Sequence, residues 1–283
     1  MNSFENQSSS KEKEKELRET DVYPIVNNLL QQRYDRIAIH WESTAYEGTR
    51  RDDLIPRLIE LGDMRGGERV LEAMCGTAVF LRELHAKYPE CEYYALDFSR
   101  GMLNAAPETL RKVQASVIAM PFADASFDRV FLRSAIYDLP KRLQLKALAE
   151  INRILKKSGS FVLQTFYTTD KTFKTLNDLV NIKDLASGQY LDMGQEYPRY
   201  FSTREELESW FEEAGLSFEA FDEYSGIIRY MRAKEMTTLG QTLWLDYVKS
   251  LSAEMRKAIN LQEEPDGTLS YSFPGVIYRL RNK

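Results

Sequence analysis

Cysteine and histidine are scarce in this chain of 283 residues, which contains only two of each. The two cysteines, Cys75 and Cys91, belong to a chain too large to need disulfide staples, so a reduced, cytoplasmic setting is expected. Because the chain has no cluster of cysteine and histidine, we expect no zinc site and no other metal site.

Long apolar runs and an excess of positive charge are also absent. No run approaches the roughly 20 apolar residues that a membrane-spanning helix needs, so no membrane span is expected. The first 18 residues are polar and highly charged, without the apolar core of a secretory signal, and they predict a disordered tail. The formal net charge of −5 argues against nucleic acid as a partner, because phosphate binding requires a basic face.

What the sequence does contain is a regular alternation of strand and helix patterns. The predicted strands are Arg69–Met74, Cys91–Leu96, Gln114–Ile118, Asp128–Leu132 and Ser160–Phe166. The predicted helices between them are Val79–Lys87, Met102–Arg111 (interrupted near Pro107) and Arg142–Leu155. Strands separated by helices indicate a parallel sheet with helices on both faces, and hence an α/β fold.

The flanking segments complete a single domain over residues 19–283. Residues 19–66 have a helical pattern, and residues 168–200 and 227–261 read as insertions that interrupt the alternation. Between the insertions, the stretch FSTREELESWFEEAGL predicts a helix capped by Ser202 or Thr203 and ended by Gly215. Strands are expected around Phe218–Phe221 and at Thr268–Leu280.

Two carboxylates end neighbouring predicted strands. Glu72 lies at the end of the first strand and Asp97 at the end of the second. Because the carboxyl ends of parallel strands meet at one edge of the sheet, both side chains should lie where ligands bind in such folds. A carboxylate that ends the second strand suits hydrogen bonding to the two hydroxyls of a ribose.

The loop after the first strand, in VLEAMCGTAVF, discriminates between two classes of cofactor. A dinucleotide requires a glycine-rich G-x-G-x-x-G turn around its pyrophosphate, but this loop has only Gly76 and begins with an acid, Glu72. An anion beside that acid is unfavourable, whereas a cationic or zwitterionic group is favourable. The loop therefore favours a ligand with an amino-acid end and a ribose, which describes S-adenosyl-L-methionine (SAM).

The segments VLEAMCGTAVF, YYALDFSRGML, AMPFADASFDRVFLRSAIYDLP and INRILKKSGSFVLQTF together resemble the class I SAM-dependent methyltransferases. They are most similar to the small-molecule branch that includes the quinone-biosynthesis enzymes. The resemblance implies a Rossmann-like fold, with a mostly parallel seven-stranded sheet and an antiparallel terminal strand. It also implies that residues 67–167 form the SAM-binding core, that residues 19–66 form a lid, and that the two insertions form the acceptor pocket.

The resemblance also assigns roles to residues by position. Glu72 and the following loop would face the methionine and ribose portions of SAM, Asp97 would bind the ribose hydroxyls, and the remaining positions would contact adenine or the methionine end. The implied cofactor-binding residues are Glu72, Ala73, Met74, Cys75, Gly76, Asp97, Phe98, Met102, Ser116, Val117, Arg133 and Ser134. Two features depart from the family pattern: Met74 and Ala78 replace glycines, and Ser116 replaces the usual aspartate.

Candidates for a catalytic base are few. The resemblance points to His40 in the lid segment and to Tyr137 and Asp138 after the fourth strand, although His40 is also consistent with helix packing. The rings of Tyr34, Trp41 and Tyr46 could line the sulfonium or could be core aromatics. Cys75 is expected to be a buried small side chain and not a nucleophile.

The chain is thus expected to transfer a methyl group from SAM to an O, N or C atom of a small, partly apolar or aromatic metabolite, with S-adenosyl-L-homocysteine as the product. Two alternatives stay open at this point. One is a protein that binds SAM without methyl transfer, as a rearrangement catalyst or regulatory partner. The other is a methyltransferase acting on a carrier protein or a lipid quinone. The acceptor and the oligomeric state are not encoded in any pattern that we recognise.

Overall fold

The computed structural model describes residues 31–38, 54–186, 197–230, 238–263 and 269–283. The expected tail (1–18), most of the expected lid, the middle of the first insertion and the turn Pro265–Gly267 lie outside the described residues. The candidates His40, Trp41 and Tyr46 lie outside them as well.

The described helices and strands follow the predicted alternation. The helices are α1 (31–37), α2 (Leu54–Gly62), α3 (Val79–Lys87), α4 (Arg100–Ala105), α5 (Lys141–Ile154), α6 (Phe173–Ala186), α7 (Arg204–Glu213), α8 (Thr238–Ser250) and α9 (Ala253–Ala258), with a 3-10 turn at Ile136–Asp138. The strands are β1 (Arg69–Ala73), β2 (Glu92–Asp97), β3 (Arg111–Gln114), β4 (Phe127–Arg133), β5 (Leu155–Phe166), β6 (Leu216–Tyr230), β7 (Gln262–Glu263) and β8 (Leu269–Asn282).

The strands form one sheet in the order β3-β2-β1-β4-β5-β8-β6, and the two-residue β7 pairs with β8. The first five strands of this order are parallel to one another, whereas β8 is antiparallel to both β5 and β6. This arrangement is the mostly parallel Rossmann-like sheet with an antiparallel terminal strand that was predicted. The order reverses at β1, so the carboxyl ends of β1 and β2 lie beside the switch point where ligands bind in such sheets.

Two predicted elements near the site have different bounds. The helix predicted at Met102–Arg111 is instead Arg100–Ala105, because Pro107 has no N–H and disfavours helical backbone at the residue before it. The strand predicted at Gln114–Ile118 is instead β3, and Ser116 enters a turn closed by the Ala119 N–H to its carbonyl. The loop after β3 therefore begins four residues earlier than predicted.

The prediction for the last third of the chain was wrong at one boundary. Strand β6 runs well beyond the predicted Phe218–Phe221 to Tyr230, paired with β8 along its length, so residues 227–230 belong to the sheet and not to an insertion. The helices α8 and α9 follow. Thr203 is the N-cap of α7, and Gly215 (φ 76°) follows its end, both as predicted.

Both faces of the sheet are buried, as a parallel sheet requires. The α5/α7 face contains Leu148, Phe161 and Phe211, and the α2/α3 face contains Leu58, Phe80 and other apolar side chains. Among the described residues, no helix is long and apolar enough to cross a membrane.

Candidate functional site

Asp97 is fixed at the carboxyl end of β2 by two backbone donors. Its Oδ2 accepts the Gly76 N–H at 2.9 Å, and its Oδ1 accepts the Ser99 N–H at 2.9 Å. The side chain is 5% exposed. Because each carboxylate oxygen has a further lone pair, the group can still accept hydrogen bonds from a ligand while its position is held by the backbone.

Burial is the main influence on the charge of Asp97. It raises the pKa of the carboxyl group to about 6, against the opposing effect of the Ser99 and Gly76 N–H groups, and the charges of Asp138 and Asp35 raise it further. Asp97 therefore lies in an electronegative environment that favours an approaching cation.

Glu72, one strand away at the end of β1, is 1% exposed and forms an ion pair with Arg133 at the end of β4. The distance from the Arg133 Nε to the Glu72 Oε1 is 3.0 Å, and the Arg133 guanidinium lies 4.9 Å from the centroid of the Phe80 ring. Burial raises the pKa of Glu72, although Arg133 and the Leu81 N–H oppose it. The Glu72 Oε2 makes no hydrogen bond with any described residue, so one buried acceptor remains for a ligand donor.

The loop between β1 and α3 adopts the geometry of a glycine-rich turn with a single glycine. Met74 (φ 55°), Gly76 (φ 56°) and Ala78 (φ 56°) all have left-handed backbone, which is rare for residues other than glycine. Met74 and Ala78 are the positions at which the sequence departs from the family pattern. Met74 and Ala78 thus adopt, without being glycine, the left-handed backbone that glycine adopts most easily.

Cys75 lies inside this loop and is 7% exposed. Burial, together with the charges of Asp97 and Glu72, raises the pKa of its thiol well above the usual value. A thiol held neutral in this way is a poor nucleophile, in agreement with the packing role expected for it.

Helix α1 packs across the crevice beside Asp97. The Tyr34 ring meets the Phe98 ring edge-on at 5.7 Å, and the Tyr34 hydroxyl donates to the Asp138 Oδ2 at 2.8 Å. Asp35, the next residue along α1, accepts through its Oδ1 from the Ser99 hydroxyl at 2.6 Å and from the Gly101 N–H at 2.7 Å.

This contact requires a glycine. A Cβ at Gly101 would lie 2.7 Å from the Asp35 Cα, which no real side chain tolerates. The described part of the expected lid therefore lies closely over the turn between β2 and α4.

The predicted adenine-side residues surround the same turn. Phe98 is half-buried, and Met102 is 1% exposed and donates its N–H to the Ser99 Oγ. The Ala115 N–H donates to the Asp97 carbonyl, and the loop that contains Ser116 begins there. Val117 is 3% exposed and belongs to the core on the α5/α7 face, so its backbone and not its side chain is available to a ligand. Ser134 (φ 50°) directly follows Arg133, and its N–H bonds the Gln164 carbonyl.

The two described candidates for a base are both engaged. The Tyr137 ring is stacked between Phe166 and Phe201, at 5.6 and 4.5 Å, and is 6% exposed. The Asp138 Oδ1 accepts from the Arg199 Nε at 2.6 Å. Because the Tyr137 ring is packed among other rings and the Asp138 carboxylate is already occupied by Arg199 and Tyr34, the geometry does not favour either as a general base.

Arg199 connects this region to a buried charge that the sequence did not reveal. It also lies 3.3 Å from the Asp184 Oδ2, and Asp184 is 0% exposed on α6. Burial alone would raise the pKa of Asp184, but Arg199, Arg33 and Lys183 outweigh it and hold the pKa below the usual value. No motif marks Arg199, Asp184 or Asp35, because their roles come from contacts between distant segments.

A cavity of about 410 Å³ lies at the opposite edge of the sheet, among charged residues such as Arg65, Asp128 and Lys156. Its position near the amino ends of β1 and β4 separates it from the two acids, so we place the candidate site at the carboxyl edge. Among the residues that the structure describes, no group of three or more His, Cys, Asp or Glu is arranged to hold a metal ion.

Comparison with known proteins identifies the family of this chain. Residues 71–163 match the model of a methyltransferase domain. The demethylmenaquinone methyltransferase of Staphylococcus aureus is 32% identical over 168 residues, which cover 54% of this chain and 69% of that protein. The chain belongs to the class I SAM-dependent methyltransferases. Its sequence is similar to those of the quinone-biosynthesis methyltransferases, as the sequence patterns predicted.

A second relative matches in sequence, and a solved structure matches in fold. The demethylmenaquinone methyltransferase of Anoxybacillus flavithermus is 27% identical over 177 residues, covering 59% of this methyltransferase and 70% of that one. The crystal structure of the YcgJ protein from Bacillus subtilis has the same fold, with a TM-score of 0.67, 20% identity, and coverage of 81% of this chain and 98% of that one.

Proposed function

We propose that this methyltransferase binds SAM between Glu72 and Asp97 and transfers its methyl group in line to an O, N or C atom of a small, partly apolar or aromatic molecule. The observation that carries the proposal is the pair of buried acids at the carboxyl ends of β1 and β2. One of them is held by backbone amides, and the other has a buried oxygen without a hydrogen-bond partner among the described residues.

The charge of the crevice supports a cationic ligand. Four carboxylates influence one another there, since Asp97 raises the pKa of Glu72 while Asp35 and Asp138 raise that of Asp97. When bound, SAM supplies an electrophilic methyl group on a sulfonium. The excess of acids would attract that cation, and the free Glu72 Oε2 would accept a hydrogen bond from the ammonium of its amino-acid end.

The remaining cofactor contacts follow from position. Asp97 would bind the ribose hydroxyls through the lone pairs that the backbone leaves open. Phe98, Met102 and the backbone at Ser116 and Val117 would border adenine, and Arg133 and Ser134 would border the methionine end. Tyr34 would cover the crevice from α1.

The contacts of the two described candidates for a base indicate what kind of acceptor is used. Because Tyr137 is stacked and Asp138 is ion-paired, the described residues offer little help in removing a proton. We infer that the acceptor is an amine, an already acidic hydroxyl or a stabilised carbanion. Alignment of the acceptor atom with the methyl carbon and sulfur would then be the main task of the protein, and positioning can supply on the order of 7–11 kcal/mol. His40 remains a candidate base outside the described residues.

An apolar or aromatic acceptor fits the elements around the crevice. The two insertions, residues 168–200 and the helices after β6, are proposed to form the acceptor pocket, and they contribute Phe173, Tyr197, Tyr200, Trp244 and Tyr247. The names of the relatives indicate a quinone substrate for those proteins, and a quinone ring is a partly apolar group of this kind.

Calorimetry with SAM tests the cofactor site. Asp97→Ala removes hydrogen bonds to a charged group, worth about 1.5–3 kcal/mol each, so two bonds to the ribose predict a loss of 100-fold or more in affinity. Ser126→Ala, at the amino edge of the sheet, is the matched control. If wild type bound no SAM, or if Asp97→Ala bound as tightly as wild type, the proposal would be wrong. Formation of S-adenosylhomocysteine with a metabolite extract, followed by mass spectrometry, then identifies the acceptor by its gain of one methyl group.

A further inference from the structure

A buried glutamine lies next to the proposed cofactor site and has no role in it so far. Gln164 on β5 is the register partner of Arg133 on β4, and it is 0% exposed. Register partners on adjacent parallel strands project to the same face of the sheet. Gln164 therefore continues a polar row at the carboxyl edge that begins with Glu72 and Arg133 and reaches one strand further from Asp97.

The hydrogen bonds of Gln164 account for one end of its amide only. The Nε2 donates to the Tyr224 hydroxyl at 2.8 Å, and that hydroxyl in turn donates to the Thr165 carbonyl, 3.5 Å away. Since the hydroxyl has one proton, this sequence of bonds orients the amide with its nitrogen toward Tyr224. The Gln164 Oε1 is then a buried acceptor with no hydrogen-bond partner among the described residues.

An unused buried acceptor is unfavourable in a folded protein, and it is a common mark of a site completed by a ligand. The ligand group must be a hydrogen-bond donor, because a carboxamide oxygen can only accept.

Next to Gln164 lies a buried cluster of aromatic side chains. Phe166, two residues further along β5 and on the same face, contacts Tyr137 at 5.6 Å and Tyr224 at 6.0 Å between ring centroids. Gln164 is thus one polar acceptor at the border of an apolar, aromatic cluster, on the side of Arg133 away from Asp97. This combination matches a hydroxyl group carried on an aromatic ring better than it matches any part of SAM.

We propose that the Gln164 Oε1 recognises a hydroxyl group of an aromatic methyl acceptor, and so selects hydroxylated rings over rings without a donor. The inference rests on the proposed function and specifies its acceptor. Gln164 acts in binding and specificity; it takes no proton and forms no covalent bond.

The test measures binding to the protein saturated with S-adenosylhomocysteine. The probes are 1,4-dihydroxynaphthalene and 1,4-dimethoxynaphthalene, which share a ring system and differ in the donor. Wild type should bind the dihydroxy probe about 10-fold more tightly, the effect of one hydrogen bond to a buried acceptor. Gln164→Met, similar in volume and without the amide, should reduce this ratio to about one and leave the affinity for S-adenosylhomocysteine unchanged.

Tyr224→Phe is the matched control. It breaks the same Gln164–Tyr224 hydrogen bond from the other side but retains the Oε1, so it should preserve the preference for the dihydroxy probe. If Gln164 only anchored Tyr224, the two variants would behave alike, and that outcome would refute the proposal. Equal binding of the two probes to wild type, or binding of neither, while S-adenosylhomocysteine binds would also refute it. Failure of S-adenosylhomocysteine itself to bind would instead count against the proposed function.

Discussion

Acid should weaken cofactor binding, because Asp97 has a pKa close to the physiological range. Burial raises that pKa to about 6 in the folded protein. A cationic ligand whose ribose hydroxyls donate hydrogen bonds binds the ionised carboxylate and not the protonated form. Lowering the pH from 7 to 5 is therefore a direct perturbation of the site.

The expected size follows from the fraction of Asp97 that is ionised. With a pKa of about 6, roughly nine-tenths is ionised at pH 7 and roughly one-tenth at pH 5. Since apparent affinity scales with the competent fraction, the Kd for SAM should rise about 10-fold between these values. The pKa of Glu72 is also raised by burial, so its protonation adds a change in the same direction.

The free energy of unfolding should respond with the opposite sign. The folded-state pKa of Asp97 is higher than its unfolded value, so the folded protein binds more protons between about pH 4 and pH 6. The contribution of Asp97 to stability therefore falls as the pH rises through this window, by about 3 kcal/mol in total. Protonation of Asp97 thus stabilises the folded protein without cofactor, whereas it weakens the binding of the cofactor.

Calorimetric titration of SAM at several values between pH 5 and pH 7 measures the binding effect, with circular dichroism at each pH to verify that the protein is folded. Glu72→Gln should keep the part of the pH dependence that comes from Asp97. Asp97→Asn should bind weakly at pH 7 and lose most of the dependence. A wild-type affinity that is constant across the range would refute the assignment of Asp97 as the ionised ligand of the ribose.

Two predictions concern stability, each measured by denaturant unfolding. Ala78→Gly should be neutral or stabilising by up to about 1 kcal/mol, because relief of left-handed backbone strain offsets the lost methyl group. The control Ala95→Gly, equally buried in β2, should reduce the free energy of unfolding by about 1–2 kcal/mol. Equal losses in the two variants would contradict the strain at Ala78. Arg199→Leu should reduce the free energy of unfolding by about 3–5 kcal/mol, because it removes a partner of the buried Asp184. Adding Asp184→Leu should recover part of this loss. A double variant no more stable than the single one would contradict the pairing.

The architecture could be predicted from the sequence because its signals are local. Val79–Lys87 has the bounds expected from its pattern, and the N-cap Thr203 and the terminating Gly215 follow from capping chemistry. The two acids could be located for the same reason: each ends a buried strand, and parallel strands bring their carboxyl ends to one edge. The long β6 was missed, since its polar, alternating outer part becomes a strand only through its pairing with β8.

The parts of the candidate site that escaped prediction depend on contacts between distant segments. Asp35 meets Gly101 across 66 positions of sequence, and Arg199 meets Asp138 across 61. The sequence pattern places Gln164 in a buried strand, but only the structure reveals its incomplete hydrogen bonding. The roles of such charged and amide side chains can be assigned only when the structure shows which residues they contact.

The loop with a single glycine can retain the geometry of a glycine-rich turn because hydrogen bonds determine its backbone. The Cys75 N–H bonds the Leu96 carbonyl at 3.0 Å, the Gly76 N–H bonds Asp97 at 2.9 Å, and the Ala78 N–H closes a turn onto the Cys75 carbonyl at 2.9 Å. Left-handed backbone at a residue other than glycine costs roughly 1–2 kcal/mol, which three such bonds can offset. One of these bonds ends on Asp97, so the carboxylate proposed to bind the ribose also holds the loop proposed to face the methionine. Loss of Asp97 should therefore disturb both halves of the cofactor site together.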